Sequence, residues 1–222
     1  MKKPVIDYRQ LRLRNLTSPR YAHLLLLSGW LVYFALYFLT ENLIPAEVCH
    51  SIHSVVDDRI PFCEWFLIPY FGWYGLIVFS LGYFLLYDIR DFKRLQIYIM
   101  ITQAVAMVCY ILIPTRQDLR PEVFANNNLL TRGVQLLYAF DTNTGVCPSL
   151  HVAYSLGIAS VWVKRKESRP ETKALIVVSV VLICLSTMFI KQHSFVDVVA
   201  AIPVGLLAEA VVFWWLPATK KM

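Results

Sequence analysis

Long apolar runs separated by short polar segments dominate this chain. A bilayer requires about 17 to 25 mostly apolar residues per helical span, and six runs approach or meet that length: 22–40, 65–87, 95–113, 149–163, 174–190 and 196–216. Because the fourth run is short, we expect its polar flank to be buried in protein. The pattern predicts an all-α fold, a polytopic bundle of six transmembrane helices.

Composition supports the membrane assignment. Apolar residues make up 58% of the 222 positions and charged residues only 16%, and the mean hydropathy is +0.55, all outside the usual range of a soluble domain. We divide the chain into a basic tail, 1–21, and one membrane domain, 22–217. The first run lacks a small-residue cleavage site and is too long for a signal peptide core, so we expect it to be retained.

The basic residues predict the orientation of the chain. With the N-terminus in the cytoplasm, 16 of the 21 Lys and Arg residues fall on the cytoplasmic side, as the positive-inside rule requires. Both termini are then cytoplasmic. The net charge of +6 is explained by topology and contact with anionic membrane lipids, and we expect no nucleic-acid partner.

Two histidines and a carboxylate stand at the outer ends of these runs. His193 precedes Asp197 by four residues, and residues at that spacing share one face of a helix. Asp197 can therefore hold one ring nitrogen of His193 while the other nitrogen faces a substrate. His151 opens the fourth run. Ionisable residues at membrane depth are costly and by default mark a functional site.

A cationic cluster accompanies these residues on the predicted outer face. Arg116 and Arg120 follow the third run, and Lys191 precedes His193. Three segments distant in sequence are thus expected to converge. Arginine grips phosphate through charge-assisted, often bidentate hydrogen bonds, so the cluster favours a phosphorylated ligand.

Three segments carry a resemblance to a known family. Residues 113–121 (IPTRQDLRP), 148–151 (PSLH) and 186–197 (STMFIKQHSFVD) resemble the signature blocks of the type 2 phosphatidic acid phosphatase superfamily. The resemblance implies a six-helix bundle. With the orientation given by the basic residues, we expect the active site on the extracytoplasmic face, in the plasma membrane. The resemblance further implies a metal-independent reaction without a cofactor, on lipid phosphates or diphosphates.

The family pattern also implies residue roles. His193 would be the nucleophile that forms a phosphohistidine, Asp197 its orienting partner, and His151 the general acid for the leaving alkoxide. Arg120 and Ser149 would bind phosphate oxygens. Pro148 is suited to the first turn of the fourth helix, whose N-terminus would add an anion site.

The chain departs from the family pattern at three positions. Ile113 occupies the usual place of a lysine, and Arg116 is the candidate substitute. Thr187 occupies the usual place of an arginine, and Lys191 is the candidate substitute. Leu150 replaces a common glycine, which gives a Pro-Ser-Leu-His form that also resembles inositol phosphorylceramide synthases.

Hydrolysis and group transfer share a first step, so the triad does not distinguish them. We favour hydrolysis; the alternative is a phosphotransferase that moves a phospho-head group between lipids, with an acceptor pocket built from the loops 41–63 and 122–146. A transporter of a phosphorylated solute is a more remote alternative. It would be marked by inverted repeats or broken helices, and the sequence shows neither.

Several other polar residues receive structural interpretations. Arg132 belongs to a predicted short amphipathic helix, 128–140, of the kind that lies in the membrane interface. Asp141 is interpreted as a turn residue. Cys49, with His50 and His53, offers too few ligands for structural zinc, so we predict no metal site. Cys49 and Cys63 are either a disulfide or two free thiols, and the sequence leaves both open.

Overall fold

Seven α-helices and two short strands make up the computed structural model, which describes residues 3–215. The helices are α1 (Ser28–Leu43), α2 (Leu67–Tyr87), α3 (Ile89–Leu112), α4 (Leu129–Phe140), α5 (Leu150–Lys164), α6 (Pro170–Phe189) and α7 (Phe195–Ala210). A 3₁₀ turn, Ala22–Leu27, leads into α1, and a π-helical turn, Val211–Trp215, follows α7. Strands β1 (His50–Ser51) and β2 (Thr115–Arg116) pair in parallel.

Five helical stretches of the described chain are long and apolar enough to cross a membrane. They are Ala22–Leu43, Glu64–Tyr87, Ile89–Leu112, Pro170–Phe189 and Phe195–Trp214. The prediction of a multi-pass helical membrane protein is therefore confirmed, with five of the six predicted runs meeting this measure.

The run that does not meet this measure is α5, which has only 15 residues. Nine of them are buried, because α3, α6 and α7 pack around the helix. Its N-cap, Ser149, is fully buried as well. A helix covered by protein rather than lipid does not need the full length of a lipid-facing span.

The helix boundaries differ from the predicted runs where polar caps intervene. α3 begins at Ile89 rather than 95 because the Asp88 side chain accepts a hydrogen bond from Asp91 N at 3.2 Å. α5 begins at Leu150 after Ser149, so the placement of Pro148 in its first turn was wrong. The predicted ends at 216 and 217 lie outside the described residues.

The amphipathic helix predicted at 128–140 is confirmed as α4. The Asn128 side chain caps it by accepting from Thr131 N at 2.9 Å. Val134 and Leu137 are buried against the start of α2, whereas Phe140 on the other face is 88% exposed. This division of apolar side chains between protein and surroundings suits a helix at a membrane interface.

An ionic cluster closes one end of the bundle. The Arg165 guanidinium, beyond α5, donates to Asp88 Oδ2 at 2.5 Å and Asp91 Oδ2 at 3.0 Å in the turn between α2 and α3. Arg94 also donates to Asp91, at 3.1 Å. Both Arg165 and Asp91 side chains are almost fully buried. The cluster thus pins α5 to the α2–α3 turn.

Two further contacts lie at this end. The N-terminal tail packs on the end of α2, where Val5 N donates to Leu86 O at 2.8 Å. Glu209, on α7, accepts from Ser160 Oγ of α5 at 2.6 Å and pairs with Lys164, so this carboxylate is a link between two helices. At the opposite end of the bundle, Cys49 and Cys63 do not form a disulfide; both are free thiols.

We expect Arg165→Met to destabilise the protein strongly, because Asp88 would lose its cation and the buried Asp91 would keep only Arg94. Removing one partner of a buried ion pair costs about 3–5 kcal/mol, which corresponds to a fall of roughly 10 °C in melting temperature for a domain of this size. Thermal unfolding of the detergent-purified protein measures the change.

The matched control is Glu167→Gln, because the Glu167 side chain is 61% exposed and only 4.0 Å from Arg165 Nε. That substitution should leave the melting temperature within a few degrees of the original. A similar small shift for Arg165→Met would show that the cluster contributes little to stability.

Candidate active site

The three sequence blocks meet at the end of the bundle opposite the ionic cluster. Ser149 N donates to the backbone oxygen of Asp197 at 3.1 Å, which joins the second block to the third. Cys147 N donates to Thr115 Oγ1 at 3.2 Å, which joins the second block to the first. Tyr110, near the end of α3, donates its hydroxyl to Pro148 O at 2.7 Å.

The predicted pairing of His193 with Asp197 is present in the geometry. His193 Nδ1 lies 3.2 Å from Asp197 Oδ2, and the same oxygen accepts from Ser194 N at 2.9 Å. Asp197 is fully buried and His193 is 8% exposed. Because a carboxylate only accepts, Nδ1 carries the hydrogen, and Nε2 keeps its lone pair for chemistry.

His151 is held beside this pair by aromatic rings of α2. Its ring centroid lies 5.6 Å from that of His193. Tyr70 stacks on His151 at 4.5 Å, and Trp73 lies 4.1 Å from it. His151 is the second residue of α5, so the helix start and the two rings together fix the orientation of the imidazole.

Buried polar atoms at this end lack hydrogen-bond partners among residues 3–215. They include Ser149 Oγ, His151 Nε2 and Arg120 Nε. A buried polar atom without a partner is costly, and two of these three lie at the N-terminus of α5, where free N–H groups and the helix dipole attract anions. The donors fit a phosphate group.

Arg120 is fixed by the backbone around it. Its guanidinium donates to Tyr138 O at 3.3 Å, Asp141 O at 2.9 Å and Thr142 O at 2.7 Å, and it lies 4.5 Å from the centroid of the Tyr138 ring. It also donates to Gln192 Oε1 at 2.6 Å. The arginine is thereby held next to the residue that precedes His193.

Arg116 is in the same region, and its contacts are directed elsewhere, although its buried Nε makes no hydrogen bond among the described residues. Arg116 Nη1 donates to Ala46 O at 3.2 Å, and its Nε lies 3.3 Å from Asp118 Oδ2. Its backbone is also fixed, through the pairing of β2 with β1. Arg116 therefore ties the first block to the loop after α1.

Lys191 likewise points away from the histidines. Its ammonium donates to Asp57 O at 3.0 Å and Ile60 O at 2.5 Å. Neither Lys191 nor Arg116 is free to contact a phosphate without losing these bonds. Of the four predicted phosphate ligands, Ser149 and Arg120 each keep a buried atom without a partner among residues 3–215, Oγ and Nε. Arg116 Nε also lacks a hydrogen bond, but it lies 3.3 Å from the Asp118 carboxylate.

Sequence reasoning missed two side chains that belong to this site, Asp141 and Gln192. Gln192 Nε2 donates to Asp141 Oδ2 at 2.9 Å, and Tyr37 OH donates to Asp141 Oδ1 at 3.2 Å. Burial raises the pKa of Asp141, while attraction to His193 and Arg120 opposes the rise. The only sequence signal was its position just before the second block.

The comparisons with known proteins agree with the geometry. The family model of the PAP2 superfamily matches residues 94–221, more than half of the chain, and includes all three blocks. No curated protein and no solved structure matches the chain. Within residues 3–215, no group of three or more His, Cys, Asp or Glu side chains is arranged to hold a metal ion.

We expect Ser149→Ala to weaken binding of inorganic phosphate without loss of stability, because Ser149 Oγ has no partner to lose among the described residues. A hydrogen bond to a charged group contributes about 1.5 kcal/mol or more, so the Kd for phosphate should rise about tenfold. The shift of melting temperature on phosphate titration measures it.

Ser186→Ala is the matched control, because Ser186 is equally buried but its hydroxyl bonds to Ile183 O of its own helix. Phosphate should bind this variant as it binds the original protein. Equal phosphate affinity in the Ser149 variant would exclude Ser149 from the anion site.

Proposed function

The chain belongs to the PAP2 superfamily, and from this premise and the site geometry we propose that it dephosphorylates a lipid phosphate or diphosphate through a phosphohistidine at His193, without a metal. Membership implies phosphatase-type chemistry. The observation that carries the proposal is the contact of His193 Nδ1 with Asp197 at 3.2 Å beside the His151 ring.

In the first step, His193 Nε2 attacks phosphorus. The N–P bond forms while the bond from phosphorus to the leaving oxygen breaks, and His151 donates a proton to that oxygen. Asp197 stabilises the positive charge that develops on the His193 ring. A positioned general acid contributes about 10² to 10⁴-fold to the rate.

In the second step, water attacks the phosphohistidine. His151, now neutral, accepts a proton from that water, the N–P bond breaks, and inorganic phosphate leaves His193 in its original form. The same residue therefore serves as acid and then as base. Tyr70 and Trp73, which hold its ring, keep it near His193 in both steps.

We assign the phosphate oxygens to Arg120, Ser149 and the N-terminus of α5. Charge builds on these oxygens in the transition state, and donors that are already aimed at them act without reorganisation. Arg116 and Lys191 we assign to support of the surrounding loops, because the Lys191 ammonium bonds to two backbone oxygens and the Arg116 guanidinium bonds to Ala46 O and lies 3.3 Å from the Asp118 carboxylate.

An apolar groove between α2 and α6 supports a lipid substrate. Its volume is about 700 Å³. Gly72 and Gly75 form part of its wall on α2, with Leu182 and Ile183 on α6. The groove reaches Phe66, which stacks on Phe189 at 4.3 Å, close to the His193 turn. We propose that it holds the hydrocarbon chain of the substrate.

We further propose that α5 completes a six-span topology and that the site faces outward, in the plasma membrane. The ionic cluster lies at the end with the basic tail, and His193 lies at the other end. Under the positive-inside rule the first end is cytoplasmic. The substrate would then be taken from the outer leaflet.

A phosphotransferase remains the second candidate, and one observation favours it. The end of α1 contacts the second predicted acceptor loop, where Thr142 Oγ1 donates to Glu41 and Tyr37 donates to Asp141. Such acceptors can orient an incoming hydroxyl group. An assay with a phospholipid donor and a hydroxylated acceptor decides, because transfer yields a phosphorylated acceptor whereas hydrolysis yields free phosphate.

We expect His193→Gln to reduce phosphate release to background, because an amide does not replace the nucleophilic nitrogen. The assay uses purified protein with EDTA on phosphatidic acid, a prenyl diphosphate and phosphatidylglycerophosphate. The unsubstituted protein should also form an acid-labile phosphoenzyme during turnover, and the variant should not.

His53→Gln is the control, since His53 is exposed and pairs with Asp58; its activity should equal the original. Full activity in the His193 variant, or activity that EDTA abolishes, would contradict the mechanism. Phosphorylated acceptor without free phosphate would select the transferase.

We expect Gly75→Leu to raise the KM for long-chain substrates about tenfold while a short-chain, water-soluble phosphate is hydrolysed as before. A Cβ at Gly75 meets nothing within 4 Å, so the leucine fits and occupies the groove. Displacing about two buried methylenes of a chain accounts for this factor. Steady-state kinetics with substrates of graded chain length measures it.

Gly82→Leu is the matched control, because Gly82 is also on α2 and a Cβ there also meets nothing within 4 Å, but Gly82 does not line the groove. For each substrate chain length, the KM of this variant should equal that of the original protein. An unchanged KM for Gly75→Leu would remove the groove from the substrate site.

A further inference from the structure

The loop between α1 and α2 is docked against the turn that carries His193. Asp57, in this loop, is 3% exposed. Its carboxylate accepts from Ser194 Oγ at 2.6 Å and from Phe195 N at 2.7 Å. A third donor, Ser54 N at 2.8 Å, comes from its own turn. Both Ser194 and Phe195 belong to the segment that joins His193 to Asp197.

A second contact runs in the opposite direction. Lys191 is 8% exposed, and its ammonium donates to the backbone oxygens of Asp57 and Ile60. Lys191 is also the one non-glycine residue with positive φ in the described chain, at 55°. A side chain disfavours this left-handed conformation, so the contacts of its ammonium group help to hold the backbone there.

These two contacts bracket the nucleophile. Lys191 is two residues before His193, and Ser194 follows it directly. His193 N and Gln192 N donate to Thr187 O at 3.0 and 2.9 Å, which fixes the side of the turn that faces α6. The other side of the turn depends on the loop between α1 and α2, which supplies the Asp57 carboxylate and the backbone oxygens of Asp57 and Ile60.

We propose that Asp57 and Lys191 form a two-point clamp that positions the His193–Asp197 pair for attack on phosphorus. The clamp rests on the proposed function but adds one residue outside the family match, since Asp57 precedes residue 94. Asp57 orients Ser194 and thereby the N–H that binds Asp197. Lys191 sets the backbone direction at the start of the turn. Both are positioning residues, because neither touches the substrate.

The test compares Asp57→Asn with Asp58→Asn. An asparagine side chain has one acceptor atom and one donor group at its end. In the Asp57 variant, therefore, either Phe195 N loses its acceptor, or Ser54 N loses its acceptor and the Ser194 hydroxyl no longer donates to this side chain. Asp58 is adjacent but its side chain is 63% exposed and pairs with His53. We expect kcat of the Asp57 variant to fall at least about tenfold, since small misplacements of reacting groups cost this much or more, and the Asp58 variant to keep its kcat.

A readout of binding separates positioning from general damage. Ser149 and Arg120 are untouched, so the Kd for inorganic phosphate, measured by the shift in melting temperature, should stay within about twofold for Asp57→Asn. A kcat within twofold of the original protein would overturn the clamp. Loss of phosphate binding together with kcat would also overturn it, in favour of a structural role.

Lys191→Met provides a second, independent variant if the first does not fold. It keeps the length of the side chain and removes only the ammonium, and we expect the same fall in kcat with unchanged phosphate affinity. Full activity would overturn the role of Lys191. If the unsubstituted protein releases no phosphate and forms no phosphoenzyme, the proposed function fails first, which distinguishes the two failures.

Discussion

The burial of the Asp197 carboxylate is the constraint on which the site depends. A charge inside an apolar bundle is costly unless it is paired and hydrogen-bonded. His193 Nδ1 and Ser194 N both contact Asp197 Oδ2, whereas Asp197 Oδ1 has no partner among residues 3–215. The backbone oxygen of the same residue accepts from Ser149 N, which fixes the start of α5. Asp197 therefore does two things: its carboxylate pairs with His193, and its backbone oxygen joins the second block to the third.

The bundle separates its polar interactions between two ends. At one end Arg165 neutralises Asp88 and Asp91, and both carboxylates pair with cations of the bundle itself. At the other end Ser149 Oγ and Arg120 Nε are buried without partners in the described chain. The first end stabilises α5, and the second end uses the same helix to present donors.

Much of the fold followed from the sequence, because the signals were local. Apolar runs located the helices. The spacing of four predicted that His193 and Asp197 share a helix face; His193 instead precedes α7, whose N-cap is Ser194, but its Nδ1 still lies 3.2 Å from Asp197 Oδ2. The start of α3 was misplaced because a single cap, Asp88, decided it.

Long-range partners could not be predicted in this way. Asp57 and Ser194 are 137 positions apart in the sequence, and the spacing of apolar residues gives no information on which loops contact each other. Lys191 and Arg116 were assigned to phosphate by charge alone, whereas their direction depends on carbonyl groups of distant segments. Asp141 looked like a turn residue because its partner, Gln192, is 51 positions away.

The position of Asp57 in the chain has a consequence for biogenesis. The loop that holds it is synthesised before α2, and the His193 turn only after α6, so about 130 residues must emerge before the two can meet. The rings of α2 have been synthesised by then, but the start of α5 still lacks its partner, because Ser149 N bonds to the backbone oxygen of Asp197 in α7. Asp197 is thus the last part of the site to be delivered, and a nascent chain whose insertion stalls before α7 has His193 without its carboxylate and α5 without its anchor.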